Sequence, residues 1–167
     1  EFRRVLFRSK ENEMNSYIGT KLIKAEVMNL GDYNKYKGWQ IPADEEPEKE
    51  GYLVQYSDDY CSWSPKDVFE KAYLKVDDNP VLPSGVSVGP DMVENFIKEK
   101  HVSTLGDRTT LVRCVLVNGF EIVESSACVD PLNYNERMGT EICMEKIKDK
   151  IWYLLGFLLQ TAWKGIK

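Results

Sequence analysis

Asn118-Gly119 stands between two apolar runs, TTLVRCVLV and FEIVESSAC, and this dipeptide limits the fold more than any other feature of the chain. A type I′ turn needs positive φ at both central residues, which Asn-Gly supplies at little steric cost. A two-residue turn sets Val117 opposite Phe120, Val115 opposite Ile122 and Arg113 opposite Glu124 on one side of a hairpin. Val112, Cys114 and Val123 then share the other side. Both faces come out substantially apolar, whereas a sheet covered on one face alternates cleanly between apolar and polar residues. The second face therefore needs cover from a helix, from another copy of the chain, or from both.

A helix is at hand in EICMEKIKDKIWYLLGFLLQTAW, where Ile147, Ile151, Leu154, Leu155 and Leu158 recur at helical spacing. From Ile151 onward it is apolar nearly all round, because Trp152, Tyr153, Phe157, Leu159 and Trp163 lie off that stripe. Such a helix is buried on all sides, and in so short a chain neighbouring copies are the cheapest cover, so an oligomer is expected. The loop VDPLNYNERMGTE leads into it, with Thr140 or Asn135 as the cap and Asp130, Asn133 and Asn135 as turn formers. Upstream, PDMVENFIKEK predicts a helix begun by Pro90, with Met92, Val93, Phe96 and Ile97 on one face. A short strand over Val102–Leu105 and a Gly106-Asp107 turn follow it, and His101 falls at the helix end as a solvated or capping residue.

Between Val76 and Pro90 the sequence VDDNPVLPSGVSVGP suits neither helix nor strand and reads as a linker. It separates an N-terminal module, residues 14–75, from a C-terminal one, residues 90–167, with the linker at 76–89. In the first module, YIGTKLIKAEVM alternates weakly as a strand and GDYNKYKGW suggests a helical turn. GYLVQYSDDYCSWSP predicts a hairpin of strands Tyr52–Tyr56 and Tyr60–Trp63. Ser64-Pro65-Lys66-Asp67 then starts a helix with Ser64 as cap, whose apolar side is Val68, Phe69 and Tyr73. The aromatic residues read as the large side chains a small core requires, with Trp39 or Trp63 as the alternative stacking surface for a ligand. The expected class is α+β: a small N-terminal α+β module, then an antiparallel hairpin or sheet packed by a long C-terminal helix, in an oligomer.

Residues 1–13 stand apart. EFRRVLFRS has neither helical nor alternating period and looks like the translation of a sequencing-adapter string, which makes Met14 the expected natural start. Its Arg3, Arg4 and Arg8 against Glu1 carry a net +2, so the formal charge of −5 becomes −7 for residues 10–167. An acidic chain has no general attraction for duplex nucleic acid, whose binding rests on neutralised phosphates. No apolar run approaches the ~20 residues that span a membrane. Four cysteines without a CxxC pair read as reduced, buried thiols, and His101 as the one histidine excludes a multi-histidine metal site.

The inventory of catalytic motifs is thin. There is no Gly-rich phosphate loop, no GxSxG, no zinc spacing and no paired-carboxylate motif. Ser125 and Ser126 follow Glu124 with no histidine base nearby in sequence, so they read as hydrogen-bonding groups for the loop or a ligand. Lys146, Lys148 and Lys150 occupy the polar side of the long helix, either as a solvated face or as cations for a ligand. The residues point to a binding module with no cofactor and no metal.

The stretch VSTLGDRTTLVRCVLVNGFEIVESSACVDPLNYNERMGTEICMEKIKDKIWYLLGFLLQ resembles a family of small phage proteins typified by gene 49 and gene 66 products. Its marks are the TT-containing strand, the NGF hairpin, the ESSACVDPxNY loop and a final helix with KIW before LLGF. The N-terminal module is similar to one attached to several otherwise unrelated small phage proteins. The second module is also similar to the type 1 Thoeris anti-defence proteins, phage sponges that sequester cyclic ADP-ribose isomers made by bacterial TIR-domain enzymes.

That resemblance implies a non-enzymatic sponge in the host cytoplasm, a hexamer built from dimers. Its partners would be a cyclic ADP-ribose isomer and, at separate sites, CBASS cyclic oligonucleotides, with no duplex nucleic acid and no membrane. Such a ligand needs a flat surface for adenine, hydroxyl or amide groups for the riboses and cations for the pyrophosphate. Phe120, Asn133 and Tyr134, with Ser125 and Ser126, are the expected stacking and hydrogen-bonding residues, and Arg108, Arg113, Lys146 and Lys150 the cations. Two other classes stay open: a phage protein that binds a host protein through the apolar helix, and an enzyme that cleaves the signal.

Overall fold

The computed structural model describes residues 16–77 and 79–166. The expectation for Glu1–Ser9 lies outside the described residues. Two three-stranded antiparallel sheets, each in sequence order, carry the architecture. The first holds β1 (Lys24–Val27), β2 (Gly51–Gln55) and β3 (Cys61–Pro65). The second holds β4 (Ile97–Leu105), β5 (Thr109–Leu116) and β6 (Glu121–Ala127).

In the first module, helix α1 (Leu30–Lys37) connects β1 to β2 and is capped by Asn29, whose side chain accepts from Asp32 N at 2.7 Å. Helix α2 (Lys66–Ala72) follows β3 directly. Its cap position is Pro65, without a side-chain cap bond, so the expected Ser64 cap is displaced by one residue. Phe69 stacks between Tyr52 and Tyr73, at 4.1 and 4.8 Å, while Val68 stays exposed. Trp63 is half-buried and donates its indole N–H to Met28 O at 2.8 Å, which makes it part of the module's framework.

The second module is a sheet with one helix laid across it. Helix α3 (Pro90–Asn95) buries Met92 and Val93 but ends before Ile97, which already belongs to β4. The helix is shorter and the strand longer than the sequence suggested, and His101 is a mid-strand residue facing Arg113. After the short 3-10 turn Pro131–Asn133, α4 runs over Glu136–Lys164, capped by Asn135, which accepts from Met138 N. Cys143, Ile147, Ile151 and Leu155, four residues apart, are its buried stripe. They meet Val112, Cys114, Leu116 and Ile122 of the sheet together with Met92, Val93 and Phe96. Each fully buried aliphatic side chain there contributes about 1.5–3 kcal/mol.

The hairpin register differs from the expected one. Arg113 pairs with Val123, Cys114 with Ile122 and Val115 with Glu121. Leu116 N donates to Phe120 O and Gly119 N to Leu116 O, closing a three-residue loop with Gly119 at φ 83°. This is a turn followed by one left-handed residue, the common alternative to the two-residue form. A one-residue slip exchanges the faces: Ile122 joins the helix-covered side, and Val123 moves out beside Arg113 and Val115. Half-buried Leu111, Arg113 and Val115 occupy the uncovered face.

The all-round burial expected for α4 is absent from the single chain. Tyr153 is 78% and Phe157 69% exposed. Of the four cysteines, Cys114 and Cys143 are buried, while Cys61 and Cys128 are only partly so, against the expectation of four buried thiols. The two modules touch where Leu22 N donates to Ala162 O at 3.1 Å. No helix among the described residues is long and apolar enough to cross a membrane.

Candidate functional site

At the hairpin end of the second sheet, the tight turn holds Phe120 by a bond from its N–H to Asn118 Oδ1 at 3.0 Å. The ring is left 56% exposed. Because α4 crosses β6 there, Phe120, Val123, Lys150, Tyr153 and Leu154 line one groove of about 520 Å³, with Glu121 and Asp149 at its rim. Lys150 is ion-paired to Glu124, whose side chain keeps only 16% of its exposure. The groove offers two exposed rings and a lysine already engaged by a carboxylate.

The opposite end is built by the loop after β6. Arg108 Nη1 donates to Val129 O at 3.2 Å, and Asp130 caps the 3-10 turn through Leu132 N at 2.9 Å. Asn133 closes that turn with its side chain exposed. The Tyr134 hydroxyl lies 2.6 Å from Thr104 Oγ1 and 3.1 Å from Thr110 Oγ1, and Thr104 donates to Glu136 Oε2 at 2.8 Å. With the Thr104 proton directed to the carboxylate, the order is Thr110 to Tyr134 to Thr104 to Glu136. Tyr134 thus fastens the loop to the sheet, and its hydroxyl is already saturated.

The remaining expected residues are scattered between these ends. Ser126 faces the α4 side of the sheet at the loop end, opposite Thr110. Ser125 faces outward, and its carbonyl accepts from Lys146 Nζ at 3.1 Å. Arg113 is on the outer face, paired to Glu121 at 2.6 Å. His101 Nε2 is 3.1 Å from Glu99 on that same face.

Strand β6 separates the two ends by about 23 Å, at ~3.3 Å per residue over Glu121–Ala127. Phe120 and Asn133 are therefore not brought together around one small ligand within a single chain. Arg108 and Lys146 bond only to backbone carbonyls among the described residues, which leaves their charge uncompensated by a carboxylate. Tyr153, Leu154, Thr104, Thr110 and Glu136 were not among the expected site residues, although Tyr153 and Leu154 were placed on the long helix. The spacing of Tyr153 three residues after Lys150 was the available signal for the groove. Nothing local marked Thr104 and Thr110 as partners of Tyr134.

Among the described residues, no group of three or more His, Cys, Asp or Glu side chains is placed to hold a metal ion. Burial pushes the Cys114 and Cys143 thiols above their ordinary range, which keeps them protonated.

Residues 88–163 match the family described as "Phage protein (N4 Gp49/phage Sf6 gene 66) family". No curated protein and no solved structure matches the chain. The match covers the sheet and long helix of the second module, and it is this part of the chain that is similar to phage proteins of the gene 49/66 type.

Proposed function

We propose that the second module binds and holds a cyclic ADP-ribose-type signal without cleaving it, as a phage sponge against Thoeris defence, and that CBASS cyclic oligonucleotides are a second ligand class. The observation that carries the reading is the pair of exposed rings, Phe120 and Tyr153, lining one groove beside Lys150. An exposed aromatic pair is a stacking surface, and stacking is worth roughly 1–3 kcal/mol per base. The cations and amide suited to a pyrophosphate and ribose, Arg108, Lys146 and Asn133, lie toward the other end of the sheet. Two copies packed antiparallel along the strands set the hairpin end of one against the loop end of the other. Oligomerisation thereby completes the site, and a hexamer of such dimers is the proposed assembly.

The test is recovery of the ligand. The protein is incubated with a cyclic ADP-ribose isomer, free ligand is removed, and the complex is denatured. Intact signal released on denaturation supports a sponge; an altered product would mean an enzyme, and no depletion would mean neither. A second reading is favoured by exposed Trp152, Tyr153 and Phe157: this face of α4 would bind a host protein instead. A complex with a host protein that forms while the signal is not depleted selects it.

A further inference from the structure

The two modules enclose a cleft of about 760 Å³, within the range of small-molecule sites, that neither could form alone. One wall is the segment Thr20–Lys24, the second is the hairpin tip Gln55–Tyr60, and the third is the end of α4 at Ala162 and Trp163. The bond from Leu22 N to Ala162 O holds the walls together. This cleft is separate from the Phe120 groove and shares no residue with it.

Its chemistry is specific. Tyr56 and Tyr60 stack with ring centroids 6.0 Å apart, and Tyr60 is left exposed, as is Trp163 across the cleft at 46%. Lys21 Nζ stands 5.6 Å from the Tyr56 ring centroid, and Lys24 lines the same cleft. Asp58 and Asp59 bring two carboxylates, each with one oxygen already used: Asp58 Oδ1 accepts from Tyr60 N and Asp59 Oδ1 from Gln55 Nε2. Asp59 holds φ at 63° as the left-handed residue that closes this hairpin turn, with its N–H donating to Tyr56 O at 3.0 Å.

Two lysines against two aspartates leave the lining itself with no net formal charge, and Lys164, with Nζ 4.0 Å from the Trp163 ring centroid, sets one further cation beside it. A ligand with one phosphate, vicinal hydroxyls and a flat base uses every group: lysines for the phosphate, the free carboxylate oxygens for the hydroxyls, and the rings for the base. We propose that the junction of the modules is a second ligand site, for a nucleoside monophosphate. It stands independently of the signal-binding reading above.

The test is calorimetry of the full chain with AMP, and with adenosine alongside. Saturable binding of AMP, tighter than adenosine, is expected. Trp163→Ala weakens both ligands about tenfold, the equivalent of one stacking partner. Lys21→Ala weakens AMP and leaves adenosine unchanged, while Phe120→Ala changes neither, which separates this site from the signal site. Photolabelling of the wild-type protein with 8-azido-AMP is expected to mark peptides containing Tyr56–Tyr60 or Trp163, and it decides the matter if a variant fails to fold. Absence of saturable AMP binding at millimolar concentration, retention of binding in Trp163→Ala, or labelling confined to the second sheet overturns the proposal.

Discussion

Gly139 lies directly against Thr110: a Cβ on Gly139 would stand 2.7 Å from the Thr110 Cβ. One turn into α4, the helix backbone rests on β5 at a residue that is fully buried. Alanine normally favours a helix over glycine by about 1 kcal/mol. Here overpacking outweighs that gain, and Gly139→Ala is expected to destabilise by about 1–3 kcal/mol. Gly156, in the same helix, has nothing within 4 Å of its Cβ position, so Gly156→Ala is expected to stabilise by about 0.5–1 kcal/mol. Urea unfolding of the two variants checks the opposite signs; shifts in the same direction would refute the account.

Tyr134 is expected to act on stability and not on ligand contact. Tyr134→Phe removes the hydroxyl between Thr110 and Thr104 and leaves the buried Thr110 hydroxyl without its acceptor. A loss of about 1–3 kcal/mol follows. Faster amide exchange across Pro131–Asn135, with signal affinity per folded molecule unchanged, is the outcome to look for.

On the proposed function, Phe120→Ala and Asn133→Ala should each weaken binding of a cyclic ADP-ribose isomer by about 1–3 kcal/mol, through lost stacking and a lost hydrogen bond. Both side chains are exposed, so thermal stability should be unaltered. Calorimetry with a cyclic ADP-ribose isomer on the full-length chain reads this directly. Unchanged affinity in both variants would move the signal site elsewhere.

Assembly and folding separate on α4. Leu155 is buried against the sheet, so Leu155→Asp is expected to unfold the second module, because an unpaired buried charge costs several kcal/mol. Phe157 and Trp152 face away from that core, so Phe157→Glu or Trp152→Glu should keep the fold and lower the oligomer mass in light scattering. A wild-type protein that scatters as a 19.3 kDa monomer at micromolar concentration rules out the assembly.

The cysteines divide by burial. Under native conditions Cys61 and Cys128 should react with iodoacetamide, while Cys114 and Cys143 should react only on unfolding. Desolvation raises the thiol pKa of the last two in the folded chain. The folded state therefore keeps protons that the unfolded state has released. Their contribution to stability is complete below the unfolded thiol range and is lost as pH rises through the folded one. Unfolding midpoints in reductant should fall above pH ~9, and a rise there would contradict the assignment.

The α+β class, the long final helix and a hairpin at Asn118-Gly119 were all legible in the amino-acid sequence. Periodicity and turn residues act locally, and Ile147, Ile151 and Leu155 recur whatever they pack against. Asn135 as the cap of α4 was one of two local candidates, and only the backbone selected it over Thr140. The hairpin register was beyond sequence reasoning: Asn-Gly serves a two-residue turn and a three-residue loop equally well. The choice was made by which of Ile122 and Val123 packs beneath α4. The boundary at Ile97 was likewise tertiary, since pairing with Leu116 draws it into β4 although its spacing suits a helix. The site residues illustrate the same division. Their types were visible, but their separation along β6, the saturation of the Tyr134 hydroxyl and the pairing of Lys150 with Glu124 depend on long-range contacts that no local pattern encodes. Residue chemistry is inherited directly from the chain, whereas which groups stand free for a ligand is settled by the neighbours that folding brings to them.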